Sequence, residues 1–324
     1  MKIAFFGSPQ IAADLLTELL KENTLQITLI ITQPDKPAGK KLELTPTPVK
    51  TVGLEHKIDI FDRNIQDKAV LQDLETLCIK ENFDLGILYA YGALIPEKII
   101  DLFRQGIWNV HPSLLPLYRG PSPTAYPLLL GDPSTGVTIM KLVKKLDAGP
   151  IIAQKEMNID KDINRDLLEK QLTSEAVQVL VEKCSLVSTG VFATTHEQDS
   201  TKSTYTRLLN KEDGYISPEL IRQALREDKE KSYNYPTLIQ EYMTKYDIKK
   251  RFVPSEIIYN MFRALSPWPG IWTTVKTKDG SKRLKLNKLV YLDNKLQILT
   301  VQLEGKKEVD FKTFDKAYNF TFSI

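Results

Sequence analysis

Residues 2–20, KIAFFGSPQIAADLLTELL, hold the pattern that decides the fold. A short apolar run, residues 2–6, ends at a Gly-Ser-Pro turn, residues 7–9. Apolar side chains then recur at the spacing of one helix face: they are Ile11, Leu15, Leu16 and Leu19. The stretch therefore predicts a strand, a tight turn and a helix.

The same alternation continues through the first half of the chain. Further β-rich runs predict strands over 25–32, 58–61 and 85–89, and helical patterns lie near 10–21 and 66–81. Strands that alternate with helices predict a Rossmann-like α/β domain with a parallel sheet. Ligands of such sheets bind beyond the carboxyl ends of the strands. The loops at residues 7, 33, 90 and 112 are therefore the candidate site loops.

Length and composition limit the class of protein. The 324 residues are enough for about two domains. Hydrophobic residues make up 42% and charged residues 26%, which is typical of a folded globular protein and excludes a disordered chain. No apolar run is long enough to cross a bilayer, and the first residues do not form a secretory h-region. We therefore expect a cytoplasmic protein.

The sequence argues against a dinucleotide site and against structural roles for its cysteines. The G-x-G-x-x-G pattern of dinucleotide sites is missing, because Pro9 and Ala12 stand where it needs glycines. The two cysteines, Cys78 and Cys184, lie far apart, and no His/Cys cluster accompanies them. The sequence therefore predicts neither a structural disulfide nor a zinc site.

A polar segment without periodicity, residues 191–206, is the predicted linker between two domains, 1–190 and 207–324. Beyond it, three runs alternate apolar and polar residues and are separated by short turns: 272–278, 282–292 and 295–304. This pattern predicts an antiparallel meander. Small meanders of this kind commonly close into barrels, so we expect a smaller OB-like β-barrel domain.

Charge is distributed unevenly along the chain. Residues 1–204 carry 22 basic and 26 acidic side chains, a net charge of −4, whereas residues 205–324 carry 22 and 15, a net charge of +7. A basic second half favours a polyanionic partner, because counterion release dominates nucleic-acid affinity. Plain solubility explains the same asymmetry equally well.

The run IWNVHPSLLP, residues 107–116, contains the histidine with the most suggestive setting. On a strand, Asn109 and His111 share a face. An amide donor beside an imidazole suits acyl transfer to an amine, which needs a polarised carbonyl and a proton acceptor. Asp147 follows another apolar run and is placed to reach the same sheet edge and hold His111 charged or oriented. From the residues alone, a capped strand end and an ordinary turn aspartate remain open.

These segments resemble the folate-dependent formyltransferase family, and within it the members that act on methionyl-tRNA. The run from Asn109 to Pro116 resembles the family signature, and residues 131–149 resemble the segment that carries its catalytic aspartate. The loop 33–50 resembles the tRNA-engaging loop of the methionyl-tRNA enzymes. Further matches extend the resemblance into the second half of the chain: 211–214, 267–270 and 302–307.

The resemblance implies transfer of a formyl group from 10-formyltetrahydrofolate to the α-amine of initiator methionyl-tRNA, without a metal. It implies three catalytic residues: Asn109, His111 and Asp147. It implies a folate-binding segment: Ser113, Leu114, Leu115 and Pro116. Three lysines on the long loop are the expected tRNA-phosphate contacts: Lys36, Lys40 and Lys41. The expected protein is a monomer whose basic C-terminal domain binds tRNA.

Other functions share parts of this pattern. A formyltransferase for an amino-sugar nucleotide or another small amine would keep the catalytic residues without needing a basic module. A non-catalytic RNA-binding protein would keep only the charge asymmetry, and a folate hydrolase would release formate without an amine. Ser113 beside His111 also suggests a Ser/His nucleophile, but no G-x-S-x-G elbow accompanies it.

Two departures from the family pattern bear on how tRNA is recognised. Lys40 and Leu117 stand where arginine is common, and lysine lacks the bidentate fork of arginine, so we expect looser reading of the tRNA end. Residues 226–251 have the character of an insertion, with four tyrosines and a basic cluster at 249–251. Aromatic side chains among cations can grip RNA. An amphipathic helix with a solvated face is the preferred interpretation.

Overall fold

The structure is a computed structural model that describes residues 1–38, 42–226, 233–278 and 280–320. Its strands are β1 (Lys2–Gly7), β2 (Gln26–Ile31), β3 (Lys36–Ala38), β4 (Glu43–Thr45), β5 (Asp59–Phe61), β6 (Leu85–Tyr89), β7 (Ile107–His111), β8 (Ser134–Lys141), β9 (Ile151–Asn158), β10 (Ile271–Thr277), β11 (Gly280–Leu292), β12 (Lys295–Leu303) and β13 (Glu308–Asp310). Its α-helices are α1 (Gln10–Leu19), α2 (Pro48–Glu55), α3 (Lys68–Glu81), α4 (Glu97–Ile100), α5 (Ala125–Leu129), α6 (Arg165–Ser188), α7 (Pro218–Arg226), α8 (Thr237–Lys245), α9 (Pro254–Leu265) and α10 (Phe311–Tyr318).

Strand β1 lies inside the first sheet, between β2 and β6, and is covered on both faces. Ile3 and Phe5 belong to one buried cluster, and Ala4 and Phe6 belong to another. Alternate side chains of a strand point to opposite faces, so burial on both sides requires a continuous apolar run. This is why residues 2–6 show no polar alternation.

Seven strands form that sheet in the order β5-β2-β1-β6-β7-β8-β9. The neighbours from β5 to β7 are parallel, which confirms the predicted α/β domain. Strand β8, however, pairs antiparallel with β7, so that Thr138 lies opposite His111 and Lys141 lies opposite Trp108. An apolar run predicts a strand but not its direction, so the sequence did not reveal this reversal.

The described chain divides into two compact units. The first consists of Met1–Pro123, Thr135–Met157 and Glu169–Tyr205, and the second of Thr124–Ser134, Asn158–Leu168 and the chain from Thr206 onward. Two short segments before the predicted boundary thus belong with the C-terminal unit. Long side chains hold them there: Lys250 Nζ donates to the Gly131 carbonyl at 2.9 Å, and Arg263 Nη1 donates to the Asp160 carbonyl at 3.3 Å.

The C-terminal unit contains a four-stranded antiparallel sheet in the order β10-β11-β12-β13, which confirms the predicted meander and the small β domain. Asp293 and Asn294 join β11 to β12 and both have positive φ, at 50° and 63°. Asp and Asn tolerate this conformation in two-residue hairpins. Closure into an OB-like barrel remains a prediction. None of the described helices is long and apolar enough to cross a membrane.

The predicted insertion contributes a helix with a buried face. Helix α8 buries Leu238, Ile239 and Tyr242. The ring of Tyr242 lies 4.6 Å from that of Tyr126 and 4.8 Å from that of Tyr246, measured between centroids. Over residues 237–245 the structure therefore agrees with the amphipathic-helix interpretation. Residues 227–232 lie outside the described part of the chain.

The predicted linker is not a free connection. His196 forms a β-bridge with Ile151, at the start of β9, and two backbone hydrogen bonds of 2.8 Å join them. Near the other end of the segment, the Arg119 N–H donates to the Thr204 carbonyl at 2.9 Å. Residues 196–205 are therefore a structural part of the first unit. They lack periodicity because they lie along other segments, and the one helix among them is a single 3-10 turn, Ser200–Lys202.

Candidate active site

Strand β7 carries two of the predicted catalytic residues on one face. Asn109 is 6% exposed and His111 is 4% exposed. The strand is held on one side by parallel pairing with β6 and on the other by antiparallel pairing with β8. An amide and an imidazole are therefore fixed side by side at the carboxyl end of β7.

Asp147 completes the predicted group. Its Oδ2 atom lies 3.8 Å from His111 Nδ1 and accepts a hydrogen bond of 2.7 Å from the Gly120 N–H. Its Oδ1 atom accepts a hydrogen bond of 3.4 Å from Asn109 Nδ2. The structure thus brings together all three residues that the sequence singled out, although Asp147 is separated from His111 by 36 positions.

Asp147 reaches this place by a return loop. Because β8 is antiparallel, its last residue, Lys141, lies beside the beginning of β7 and away from His111. The loop 142–150 has to run back, and Asp147 adopts a left-handed conformation with φ of 47°. A Cβ atom on Gly149 would lie 1.8 Å from the Lys141 carbonyl oxygen, so the loop folds closely onto the strand end.

His111 is buried and its ring nitrogens have different surroundings. Nε2 lies 3.0 Å from the Tyr118 carbonyl oxygen, which can only accept, so Nε2 carries a proton and donates. Burial lowers the pKa of His111 from its ordinary 6.5, Asp147 and the Tyr118 carbonyl raise it, and the Arg119 charge lowers it further. The net direction is downward. The resting imidazole is therefore neutral, with an unprotonated Nδ1 beside Asp147.

The predicted folate-binding segment is anchored to β8. Ser113 is fully buried, and its Oγ donates to the Leu117 carbonyl at 2.7 Å. Thr138 Oγ1 donates to the Ser113 carbonyl at 2.7 Å and accepts from the Leu115 N–H at 3.1 Å. The Ser113 hydroxyl is therefore directed to the backbone of Leu117, which argues against a Ser/His nucleophile. Leu114 and Pro116 are only half-buried.

An open cavity of about 400 Å³ lies at the same edge of the sheet. Its lining comes from the loops after β1, β2 and β6, three of the four loops that the sequence singled out, and includes Ser8, Gln33, Lys36 and Gly92. The Ser8 hydroxyl ties these loops together: Oγ donates to the Tyr91 carbonyl at 3.0 Å and accepts from the Gln33 N–H at 3.2 Å. These two hydrogen bonds hold the three loops together at the cavity.

The long loop after β2 contains an antiparallel hairpin, β3 with β4. Lys36 is exposed and also lines the cavity. Lys50, by contrast, is paired with Asp35 at 2.8 Å and with Asp62 at 2.6 Å, so it anchors the base of the hairpin. The other two predicted tRNA contacts, Lys40 and Lys41, lie outside the described residues.

The cysteines take no part in this site. Cys78 and Cys184 are free and buried, and burial raises the pKa of each thiol to about 12. Within the described ranges, no group of three or more His, Cys, Asp or Glu side chains is arranged to hold a metal ion.

Comparison with known proteins identifies the family. The sequence profile described as "Formyl transferase" matches residues 1–184, more than half of the chain. The chain belongs to the formyl transferase family. A methionyl-tRNA formyltransferase of Thermotoga maritima is 41% identical over 214 residues, which is 66% of each chain. That of Roseiflexus castenholzii is 35% identical over 275 residues, 85% of this chain and 76% of that protein.

Solved structures show the same fold. A 4-N formyltransferase from Francisella tularensis has a TM-score of 0.57 at 16% identity, over 86% of this chain and 93% of that one. An N-formyltransferase from Helicobacter canadensis, in complex with folinic acid and dTDP-3-aminofucose, has a TM-score of 0.55 at 15% identity, over 90% and 88%. The family and fold predicted from the sequence are thereby confirmed for this formyltransferase.

Sequence reasoning missed the groups that hold the three site residues in place. Tyr118 and Gly120 act through backbone atoms, a carbonyl that accepts from His111 and an N–H that donates to Asp147. Backbone groups carry no residue-type signal. Arg119, between them, is fully buried, and Gln198 accepts hydrogen bonds from its guanidinium. A charged residue in a loop gives no sign from sequence that it is buried.

Proposed function

We propose that this formyltransferase transfers the formyl group of 10-formyltetrahydrofolate to the α-amine of initiator methionyl-tRNA. The observation that carries the proposal is the match at 35% identity to a methionyl-tRNA formyltransferase over 85% of this chain. That match extends well beyond residues 1–184, so it includes much of the C-terminal half as well as the catalytic residues. A cytoplasmic monomer is part of the same proposal.

The reaction forms one bond and breaks another. The α-amine nitrogen attacks the formyl carbon, and the carbonyl oxygen becomes an oxyanion. When the oxyanion collapses, the bond from that carbon to the N10 nitrogen of the folate breaks. One amine proton must leave and one proton must reach N10. A single well-placed donor to such an oxyanion is worth about 2.7–4 kcal/mol in related acyl chemistry. The Asn109 amide is the donor available in the resting site.

His111 moves the proton. Its neutral ring has an unprotonated Nδ1, which accepts the amine proton as the nitrogen attacks. The imidazolium that forms lies 3.8 Å from the Asp147 carboxylate, which stabilises its charge. In that state Nδ1–H donates to the oxyanion and then delivers the proton to N10. The lowered pKa sharpens the sequence-based expectation: Asp147 orients and stabilises His111, and does not keep it protonated in the resting protein.

The proposed folate and tRNA contacts are supported by where these residues lie in the fold. The anchored segment 113–116 is the proposed folate contact, through the half-buried Leu114 and Pro116. A related enzyme was solved with folinic acid, a folate. Lys36 stands at the cavity rim as a phosphate contact for the tRNA acceptor end, together with Lys40 and Lys41 from the sequence.

The test is formyl transfer from 10-formyltetrahydrofolate with matched acceptors: initiator methionyl-tRNA, elongator methionyl-tRNA and an amino-sugar nucleotide. We expect preferential formylation of the initiator, and binding that weakens as salt rises. Activity on the amino-sugar nucleotide alone would replace the acceptor and leave the catalytic residues in place. Formate release without any acceptor would instead indicate a hydrolase.

A further inference from the structure

Gln198 connects the loop that carries Asp147 to a buried arginine. Its Nε2 atom donates to the Asp147 carbonyl at 3.1 Å and to the Gly149 carbonyl at 2.7 Å. Its Oε1 atom accepts from Arg119 Nε at 3.1 Å and from Arg119 Nη2 at 2.6 Å. The partners on the two sides fix the amide orientation, because carbonyls only accept and a guanidinium only donates.

Arg119 is a rigid anchor for this amide. Its side chain is fully buried, and Nη1 donates to the Tyr205 hydroxyl at 2.9 Å. Arg119 also stands between the two residues whose backbone holds the catalytic pair, Tyr118 at His111 and Gly120 at Asp147. Gln198 therefore connects the loop 142–150 to the segment 118–120, in which Tyr118 bonds to His111 and Gly120 bonds to Asp147.

We infer that Gln198 is a positioning residue that holds the Asp147 loop in register with His111 during formyl transfer. The inference rests on the proposed function for its kinetic consequence. The loop needs such a hold because Asp147 has a left-handed backbone, which costs free energy for a residue with a Cβ. A displacement of about 1 Å at a catalytic group can cost about 100-fold in rate.

Two variants separate the donor and acceptor roles of the amide. Gln198→Leu removes both. Gln198→Glu retains an acceptor for Arg119 but turns a carboxylate oxygen toward the carbonyls of Asp147 and Gly149. The matched control is Gln105→Leu: Gln105 is a buried glutamine whose Nε2 donates to the Val191 carbonyl at 3.4 Å, and its side chain is not bonded to the Asp147 loop.

Steady-state kinetics on the full-length protein give the first readout. We expect kcat to fall about 100-fold in both Gln198 variants. The KM for folate and for tRNA should be unchanged, and the control should keep the wild-type kcat. A wild-type kcat in Gln198→Leu, or in Gln198→Glu alone, would overturn the inference. So would a raised KM with normal kcat, because that would place Gln198 in binding.

Titration of His111 by 15N NMR gives a readout that does not depend on the acceptor, and the chain has only three histidines to assign. Asp147 and Arg119 are the charged groups that act on His111, and the Asp147 charge raises its pKa. Release of the loop in Gln198→Leu should therefore lower the pKa of His111, whereas Gln105→Leu should not change it. An unchanged pKa would contradict positioning by Gln198. Absent transfer to tRNA by the wild type would count only against the proposed function.

Discussion

The two parts of the site are built in different ways. Asn109 and His111 stand on β7, a strand bonded to neighbours on both sides. Asp147 lies on a loop that is held by hydrogen bonds to residues distant in sequence. Gly120 is 27 positions away and Gln198 is 51 positions away. The strand holds the reacting groups through regular backbone pairing with two neighbouring strands. The loop supplies the charge through long-range hydrogen bonds.

Because of this difference, substitutions in the two parts should affect activity in different ways. On the strand, a change of side chain removes chemistry and leaves the geometry in place, because the backbone pairing is unaffected. On the loop, activity should be lost whenever the backbone moves, even if Asp147 itself is intact. Substitutions on the strand should therefore lower kcat with little change in stability. Substitutions that move the loop backbone should lower both.

We expect the largest loss of kcat from a substitution on the strand. His111→Ala removes the proposed base, and general acid–base catalysis contributes about 10²–10⁴-fold. We expect kcat to fall by that factor, while folate and tRNA affinities measured by equilibrium binding remain. Circular dichroism should show a folded protein. Unchanged turnover would exclude His111 from the mechanism.

In the loop, Asp147→Asn keeps the shape of the side chain and removes its charge. The neutral amide still accepts from the Gly120 N–H but no longer stabilises the imidazolium of His111. We expect kcat to fall at least about 100-fold, with the melting temperature little changed. A fall in melting temperature that accounts for the lost activity would show that the carboxylate serves the fold alone.

Gly149→Ala tests the loop without touching a reacting group. The new Cβ would meet the Lys141 carbonyl oxygen at 1.8 Å, so the loop has to move. We expect a loss of stability of about 1–3 kcal/mol and a clear loss of kcat in the protein that remains folded. Gly106→Ala is the control, since its positive φ adds strain but its Cβ meets no atom within 4 Å. Equal kcat in both variants would contradict a positioned loop.

The C-terminal unit should respond through stability. Tyr242 is buried in α8, and its ring packs at a tilt against the rings of Tyr126 and Tyr246. Each aromatic pair is worth about 0.5–1.5 kcal/mol beyond its buried area, so Tyr242→Leu, which removes both pairs, should lower the free energy of unfolding by about 1–3 kcal/mol. The affinity for tRNA should not change. Weaker tRNA binding at unchanged stability would support the RNA-contact interpretation of the insertion.

The sequence predicted what local patterns encode. The strands at 25–32, 58–61 and 85–89 appear as β2, β5 and β6, within two residues at each end. The resemblance named Asn109, His111 and Asp147, and the structure brings them together. These successes share a cause, because apolar periodicity and short motifs lie within a few residues of chain.

What the sequence did not reveal is long-range. The reversal of β8, the return of the 142–150 loop and the contact of Gln198 with Arg119 join residues that no periodic pattern connects. The neutral state of His111 follows from burial, which a single sequence does not give. The short helices α4 and α5 were also missed, since one turn of helix leaves too short a pattern to read.

The protonation of His111 in the resting protein is the most direct test of the mechanism. Burial lowers its pKa below 6.5, so kcat/KM should rise with pH through one inflection below 6.5, separate from the ionisation of the acceptor α-amine at about 7.7–8.0. Stability from this group should fall as pH drops below 6.5, because the unfolded chain binds a proton that the native site excludes. At pH 7, 15N NMR should show a protonated Nε2 and an unprotonated Nδ1. A doubly protonated ring at pH 7 would contradict His111 as the base.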